Sequence, residues 1–384
     1  MRAQSRMIGW RVLQILLVVI LIGGLPPAPA AAAPPSQTFG GDPLNAFPAL
    51  FPELLTLPAP AWVREGQRVS YYVQSASIPE NQDEGGSAGA GYLQHDIVAV
   101  SQENVVVSSS YYVGTGNGVT PGGVFGASFL PGYGDFWLNP AVLEGAEAVA
   151  NDDLIVVHMP TTIAGQRYDA VRFEYRSGAA VTISMFDVKT GLLIYYRHTV
   201  GDDFAAPRQS SEIYLLGRRQ IRLPWRATKA PSWVRKGSAI HYDGARSIYV
   251  AGSPSSQLPE SASVDVKVAQ GRWSAFQVTS YLMGTASGVS DRVTGVSQLT
   301  GAIWLPAEAL RANLRRPLLD RDPITGVEVS YVRNPDQTIT ISEEGTLFRI
   351  DNTYDRRTGK LLATRIEIQT GLAVQVIELF LARS

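Results

Sequence analysis

The chain has 384 residues, 45% of them hydrophobic and 17% charged, and it contains no cysteine. The missing thiols exclude disulfide staples, thiolate metal sites, iron–sulfur clusters and cysteine nucleophiles. With 33 basic against 34 acidic residues, the near-neutral balance argues against nucleic-acid binding by the protein as a whole.

Arg2, Arg6 and Arg11 lead into an apolar run from Val12 to Leu25 that only Gln14 interrupts, and Pro26 and Pro27 end it. This layout predicts a Sec-type signal peptide over residues 1–32, with small residues suiting cleavage after Ala30 or Ala32. The alternative is an uncleaved N-terminal membrane anchor, against which the run is short of the ~20 residues a spanning helix needs. The expectation is export, to a periplasm, a cell surface or the exterior. Without the three signal-peptide arginines the net charge becomes −4.

Residues 33–58 are rich in Pro, Gly and Ala and carry an apolar island from Phe47 to Leu57, which predicts an extended linker partly laid against the next domain. A duplication begins at residue 59. Ala59-Pro60-Ala61-Trp62-Val63-Arg64-Glu65-Gly66 returns 171 positions later as Ala230-Pro231-Ser232-Trp233-Val234-Arg235-Lys236-Gly237. Ser110-Tyr111-Tyr112-Val113-Gly114-Thr115 returns as Ser280-Tyr281-Leu282-Met283-Gly284-Thr285, and Phe136-Trp137-Leu138 as Ile303-Trp304-Leu305. Asp187-Val188-Lys189-Thr190-Gly191-Leu192-Leu193 returns as Asp355-Arg356-Arg357-Thr358-Gly359-Lys360-Leu361. Two long repeats in one order imply two similar domains, over 59–217 and 230–384, joined by a basic linker at 218–229.

Within each copy, short runs of β-branched and aromatic residues alternate with Gly/Asn/Asp/Pro clusters, predicting seven or eight antiparallel strands. One short helix is expected per copy, from Ala141 to Val149 behind Asn139-Pro140, and from Ala307 to Leu314 behind Pro306. Segments 78–91 and 116–135 read as long Gly-rich loops. The fold class is mainly β (β-rich α+β): two tandem homologous antiparallel domains, each a curved sheet or barrel with one helix against it. In strand count and helix placement the pattern resembles lipocalin-type barrels and the half-barrels of envelope lipoprotein carriers.

The Asp-x-x-Thr-Gly-x-Leu blocks read as hairpin turns, in which Asp bonds the backbone and Gly supplies positive φ. Asp320-Arg321-Asp322-Pro323-Ile324-Thr325-Gly326 alternates acids as calcium loops do, but Arg321 and Pro323 suit a β-turn better. Trp62/Trp233 and Trp137/Trp304 recur in register, as core anchors or as walls of a ligand cavity. Arg218, Arg219, Arg222, Arg226, Lys229, Arg235 and Lys236 form a run without an acid, either a solvated linker or a contact for anionic lipid or an acidic envelope polymer. The four histidines are isolated, and no HExxH or Ser-x-x-Lys motif occurs.

The sequence therefore favours a non-enzymatic envelope or extracellular protein without metal or cofactor. A concave sheet face would hold an apolar or amphipathic, lipid-like ligand, with Trp137, Trp304, Tyr112 and Tyr281 as candidate contacts. The second reading is a structural or interaction protein working through the basic segment or the Gly-rich loops, and the third is a hydrolase. Nothing in the sequence sets an oligomeric state.

Overall fold

Alternating β-branched and aromatic residues build two ten-stranded antiparallel sheets, one from each copy. The computed structural model describes residues 43–77, 87–201, 207–225, 229–250, 259–271, 274–284, 286–300, 302–314 and 317–382. The signal-peptide expectation, Arg226 and most of the first Gly-rich loop lie outside them.

The chain enters through helix α1 (Pro43–Leu50) and a 3-10 turn (Pro52–Leu55). The first sheet takes β1 (Gln67–Ser77), β2 (Ser87–Val100), β3 (Val105–Thr115) and β4 (Gly118–Phe129) in a meander. A small ribbon of β5 (Tyr133–Gly134) and β6 (Trp137–Leu138) leads into α2 (Pro140–Glu144). The chain then returns through β7 (Val149–Ala150), β8 (Leu154–Ile163), β9 (Gln166–Ser177), β10 (Ala180–Asp187), β11 (Leu193–Val200) and β12 (Gln209–Gln220). The spatial order β4-β3-β2-β1-β12-β11-β10-β9-β8-β7 places the first and last long strands side by side at the centre.

The second copy repeats this with β13 (Ala239–Val250), β14 (Glu260–Gly271), β15 (Ser274–Met283) and β16 (Ala286–Gly295). Helix α3 (Ala307–Arg311) follows, then β17 (Leu318–Arg321), β18 (Glu328–Arg333), β19 (Thr338–Gly345), β20 (Phe348–Asp355), β21 (Leu361–Thr370) and β22 (Ala373–Leu381). Its order, β16-β15-β14-β13-β22-β21-β20-β19-β18-β17, matches the first sheet strand for strand.

Three expectations change. The Gly-rich segment 116–135 is largely strand β4, where glycine permits close contacts: a Cβ on Gly122 would come within 2.5 Å of the Tyr111 ring. That strand and short edge pieces raise the count to ten per sheet. Both helices are shorter than expected; α2 ends at Gly145 although Asn139 caps it, its Oδ1 accepting from the Ala141 N–H at 2.9 Å. The apolar island before residue 59 is core. Phe47 is 1% exposed and meets Phe173 and Phe186 edge-on at 5.0 and 5.6 Å, and Leu54 is fully buried. Burial of two such side chains is worth about 2 kcal/mol each, enough to hold this segment onto the first domain.

The copies also pack on each other. Glycines permit the close approach: a Cβ on Gly126 would sit 2.3 Å from Val293, and one on Gly295 2.7 Å from Val98. Val98, Ala99, Val106 and Val293 form a small apolar cluster there, and Tyr112, Val119, Val327, Phe348 and Ile368 form another. The β3–β4 hairpin of the first domain thereby lies across the second sheet.

Candidate functional site

The repeated sequence blocks meet in space. Asp187 Oδ2 accepts from the Thr190 N–H at 3.0 Å, and Asp355 Oδ1 from the N–H groups of Arg357 and Thr358 at 2.6 and 3.2 Å. The Trp62 indole donates to the Thr190 carbonyl at 2.7 Å, and Trp233 donates to the Thr358 carbonyl at 3.0 Å. Trp137 and Trp304 bridge to Leu192 and Lys360 just past these turns, and both are fully buried. Trp137 Nε1 donates to the Pro131 carbonyl, whereas Trp304 Nε1 has no acceptor. These blocks hold the chain's entry, turn and helix approach together in each copy.

The Asp322 loop is a third turn of the same kind, with Asp322 Oδ1 accepting from Ile324 and Thr325 N–H groups at 3.0 and 2.9 Å. Its other oxygen faces the first domain. Arg68 grips Asp96 with two bonds of 2.7 and 2.8 Å and reaches Asp322 at 3.3 Å. Arg219 grips Asp320 at 2.8 and 2.6 Å and Asp322 at 2.9 Å. Burial alone would raise the Asp322 carboxyl, but the Thr325 N–H and the two guanidiniums overcome it and hold it at about 2. The alternating acids are thus inter-domain partners of arginine. No cluster of three metal-ligating side chains occurs among the described residues.

This network divides the basic run. Arg219 is committed to Asp320 and Asp322, and Arg218 lies over the Trp62 ring at 5.0 Å. Arg222, Lys229, Arg235 and Lys236 are exposed.

The two concave faces differ. In the first domain Phe47, Leu54, Phe136, Phe173 and Phe186 share one continuous core. In the second, a cavity of about 260 Å³ remains. Its floor is the sheet, with Val266, Met283, Ile366 and Leu379 among its apolar walls, and Tyr111, Tyr112 and Pro121 of the β3–β4 hairpin cover it. Of the four aromatics the sequence singled out, Tyr112 and Tyr281 line this space; Trp137 and Trp304 lie in the cores and do not. The cover is pinned by a hydrogen bond from the Tyr112 hydroxyl to Glu343 Oε1 at 2.6 Å. Burial raises the Glu343 carboxyl, against the opposing pull of that bond and of Arg68.

Sequence reading missed three features: the cover hairpin, Glu343 and Arg292. Arg292 looks like an ordinary surface cation in an alternating strand, and only the register of β16 turns it into the cavity. A buried Ser109–His95 pair at 2.7 Å was also hidden, since only the register of β2 on β3 sets the two side by side. Burial lowers His95 to about 3, its ring stacks on Phe136 at 4.3 Å, and both residues are 2% exposed. The pair is closed to substrate, which gives the hydrolase reading no support there.

Compared with known proteins, the sequence matches no family and no curated protein. Solved structures to which the chain shows some similarity include a protein of unknown function of the DUF3598 family from Nostoc punctiforme, at TM-score 0.17 and 9% identity over 83% of this chain and 97% of that one. MucB is similar at TM-score 0.24 and 10% identity over 88% of this chain and 94% of its own. Transferrin-binding protein B from Haemophilus parasuis follows at TM-score 0.15 and 9% identity, covering 85% and 79%. Scores this low carry no inference about function. No helix among the described residues is long and apolar enough to cross a membrane.

Proposed function

We propose that the protein is an exported, non-enzymatic component of the cell envelope or exterior that holds an apolar or amphipathic small molecule in the second domain. The observation that carries this reading is the cavity over the second sheet, walled by aliphatic and aromatic side chains and covered by the β3–β4 hairpin. Ligand sites are typically concave and mostly apolar, with a few placed polar groups. In the first copy Phe47, from outside the repeat, packs on Phe173 and Phe186 within a continuous core, so the reading places capture in the second domain alone. The apolar run at Val12–Leu25 supports export.

A second reading keeps a partner at the inter-domain segment, because Arg222, Lys229, Arg235 and Lys236 stay exposed around the part-buried Arg219 pairs. An anionic surface or polymer would be its partner. Native mass spectrometry of protein purified from its own exported fraction, followed by organic extraction, separates the two. A stoichiometric apolar adduct supports capture; an adduct-free mass with retention on anionic polymer supports the second reading.

A further inference from the structure

Across the mostly apolar second concavity, one corner is polar. On β15 and β16 the cross-strand pairs Gln277/Arg292 and Thr279/Ser290 occupy neighbouring positions on one face. Thr279, Ser290 and Arg292 line the cavity. Arg292 Nε and Thr279 Oγ1 are buried without hydrogen-bond partners, and no acid pairs with Arg292 among the described residues. Burial is what lowers this guanidinium from its ordinary value. A partly desolvated cation without a counter-charge is destabilising, and an anionic ligand would relieve it. Gln277 opposite it offers a neutral amide, which can accept a hydrogen bond but cannot neutralise the charge. Glu343, the acid of the cavity wall, is engaged with Tyr112.

The first copy is an internal control. There the corresponding cross-strand pairs are Val107/Ala127 and Ser109/Phe125. Val107 is fully buried in the apolar core, and Ser109 bonds His95. The buried guanidinium and its amide neighbour therefore belong to the second copy; in the first, Ala127 and Val107 take their places and Ser109 is paired with His95.

We infer that the ligand is an amphipathic anion, a medium-length alkyl chain ending in a carboxylate or similar group, whose head is held by Arg292 with Thr279 and Ser290 beside it. This rests on the capture reading above and adds the head-group class to it. A cavity of 260 Å³ has room for about nine water-sized groups, which sets the chain length to that order. Guanidinium donors match a carboxylate in geometry as well as charge. The aliphatic walls take the chain.

The test uses decanoate, decanol and decylamine in calorimetric titrations of the full exported protein and its Arg292→Gln variant. The expected result is decanoate binding at least tenfold more tightly than decanol, decylamine weakest, and loss of the decanoate preference in Arg292→Gln with decanol affinity kept. Unchanged decanol binding shows that the variant cavity is intact, and Arg292→Lys should retain part of the preference. Equal binding of decanoate and decanol by the wild type would overturn the head-group assignment while leaving capture standing. No binding of any of the three would overturn both.

Discussion

The indole N–H of Trp62 donates to the carbonyl of Thr190 across 128 positions of sequence, and Trp233 makes the same bond to Thr358 in the second copy. The Asp-x-x-Thr-Gly turn is thus shaped from inside by Asp and clamped from outside by Trp. Replacing Trp62 by Phe keeps the ring but strands the Thr190 carbonyl, a loss of about 1–3 kcal/mol. Trp62→Phe should lower only the first domain's unfolding transition in urea, and Trp233→Phe only the second's. Equal effects on both transitions would show that the clamp does not act within one domain.

Gly191 tests the same turn by sterics. Its φ is +70°, and a Cβ would meet the Leu138 carbonyl oxygen at 1.8 Å; Gly165, at φ +80°, has nothing near. A left-handed alanine costs about 1–2 kcal/mol by itself. Gly165→Ala should therefore cost about 1 kcal/mol, and Gly191→Ala at least about 3 kcal/mol because backbone must also move. Denaturation midpoints of the two variants check the gap.

Phe47 packs into the first domain's core from outside the repeat, against Phe173 and Phe186. Phe47→Ala should destabilise the first domain by about 3–5 kcal/mol and leave the second domain's calorimetric transition in place. A shift below about 1 kcal/mol would mean that the entry helix merely rests on the surface.

Asp322 gives the inter-domain contact a pH signature. Its carboxyl is held at about 2 in the folded protein against an ordinary value of 3.8. A depressed carboxylate contributes stability that is complete above the unfolded value and lost as pH falls through the folded one. The contribution is about 2 kcal/mol, present above roughly pH 4 and gone near pH 2. Asp322→Asn should flatten the stability profile in that acid window. At neutral pH, Asp322→Ala should cost about 3–5 kcal/mol through the buried Arg68 it leaves short of a partner. Matching acid profiles for wild type and Asp322→Asn would contradict the assignment.

Much of the architecture was legible because it is written twice. Recurrent Trp, Ser-Tyr and Asp-x-x-Thr-Gly blocks marked two β domains, and turn chemistry alone explained the Asp187 and Asp355 hairpins. Strand β4 was not legible, since glycine reads as loop until its register beneath Tyr111 is known. The same limit hid the site. Nothing local distinguishes Arg292 from a solvent-facing cation, or Asp322 from any turn acid; pairing with β15, and docking onto Arg68 and Arg219, give those residues their roles. Trp137 and Trp304 were equally readable as core or cavity wall, because a buried aromatic serves either.

The most direct test of the account is uptake of a fluorescent fatty-acid probe by wild type and by Val264→Trp, a substitution at the cavity wall that fills the space. The account predicts one probe per wild-type chain and little or none in the variant, with the thermal transitions of both domains kept. Equal uptake by the two proteins, or none by either, would contradict capture in the second domain.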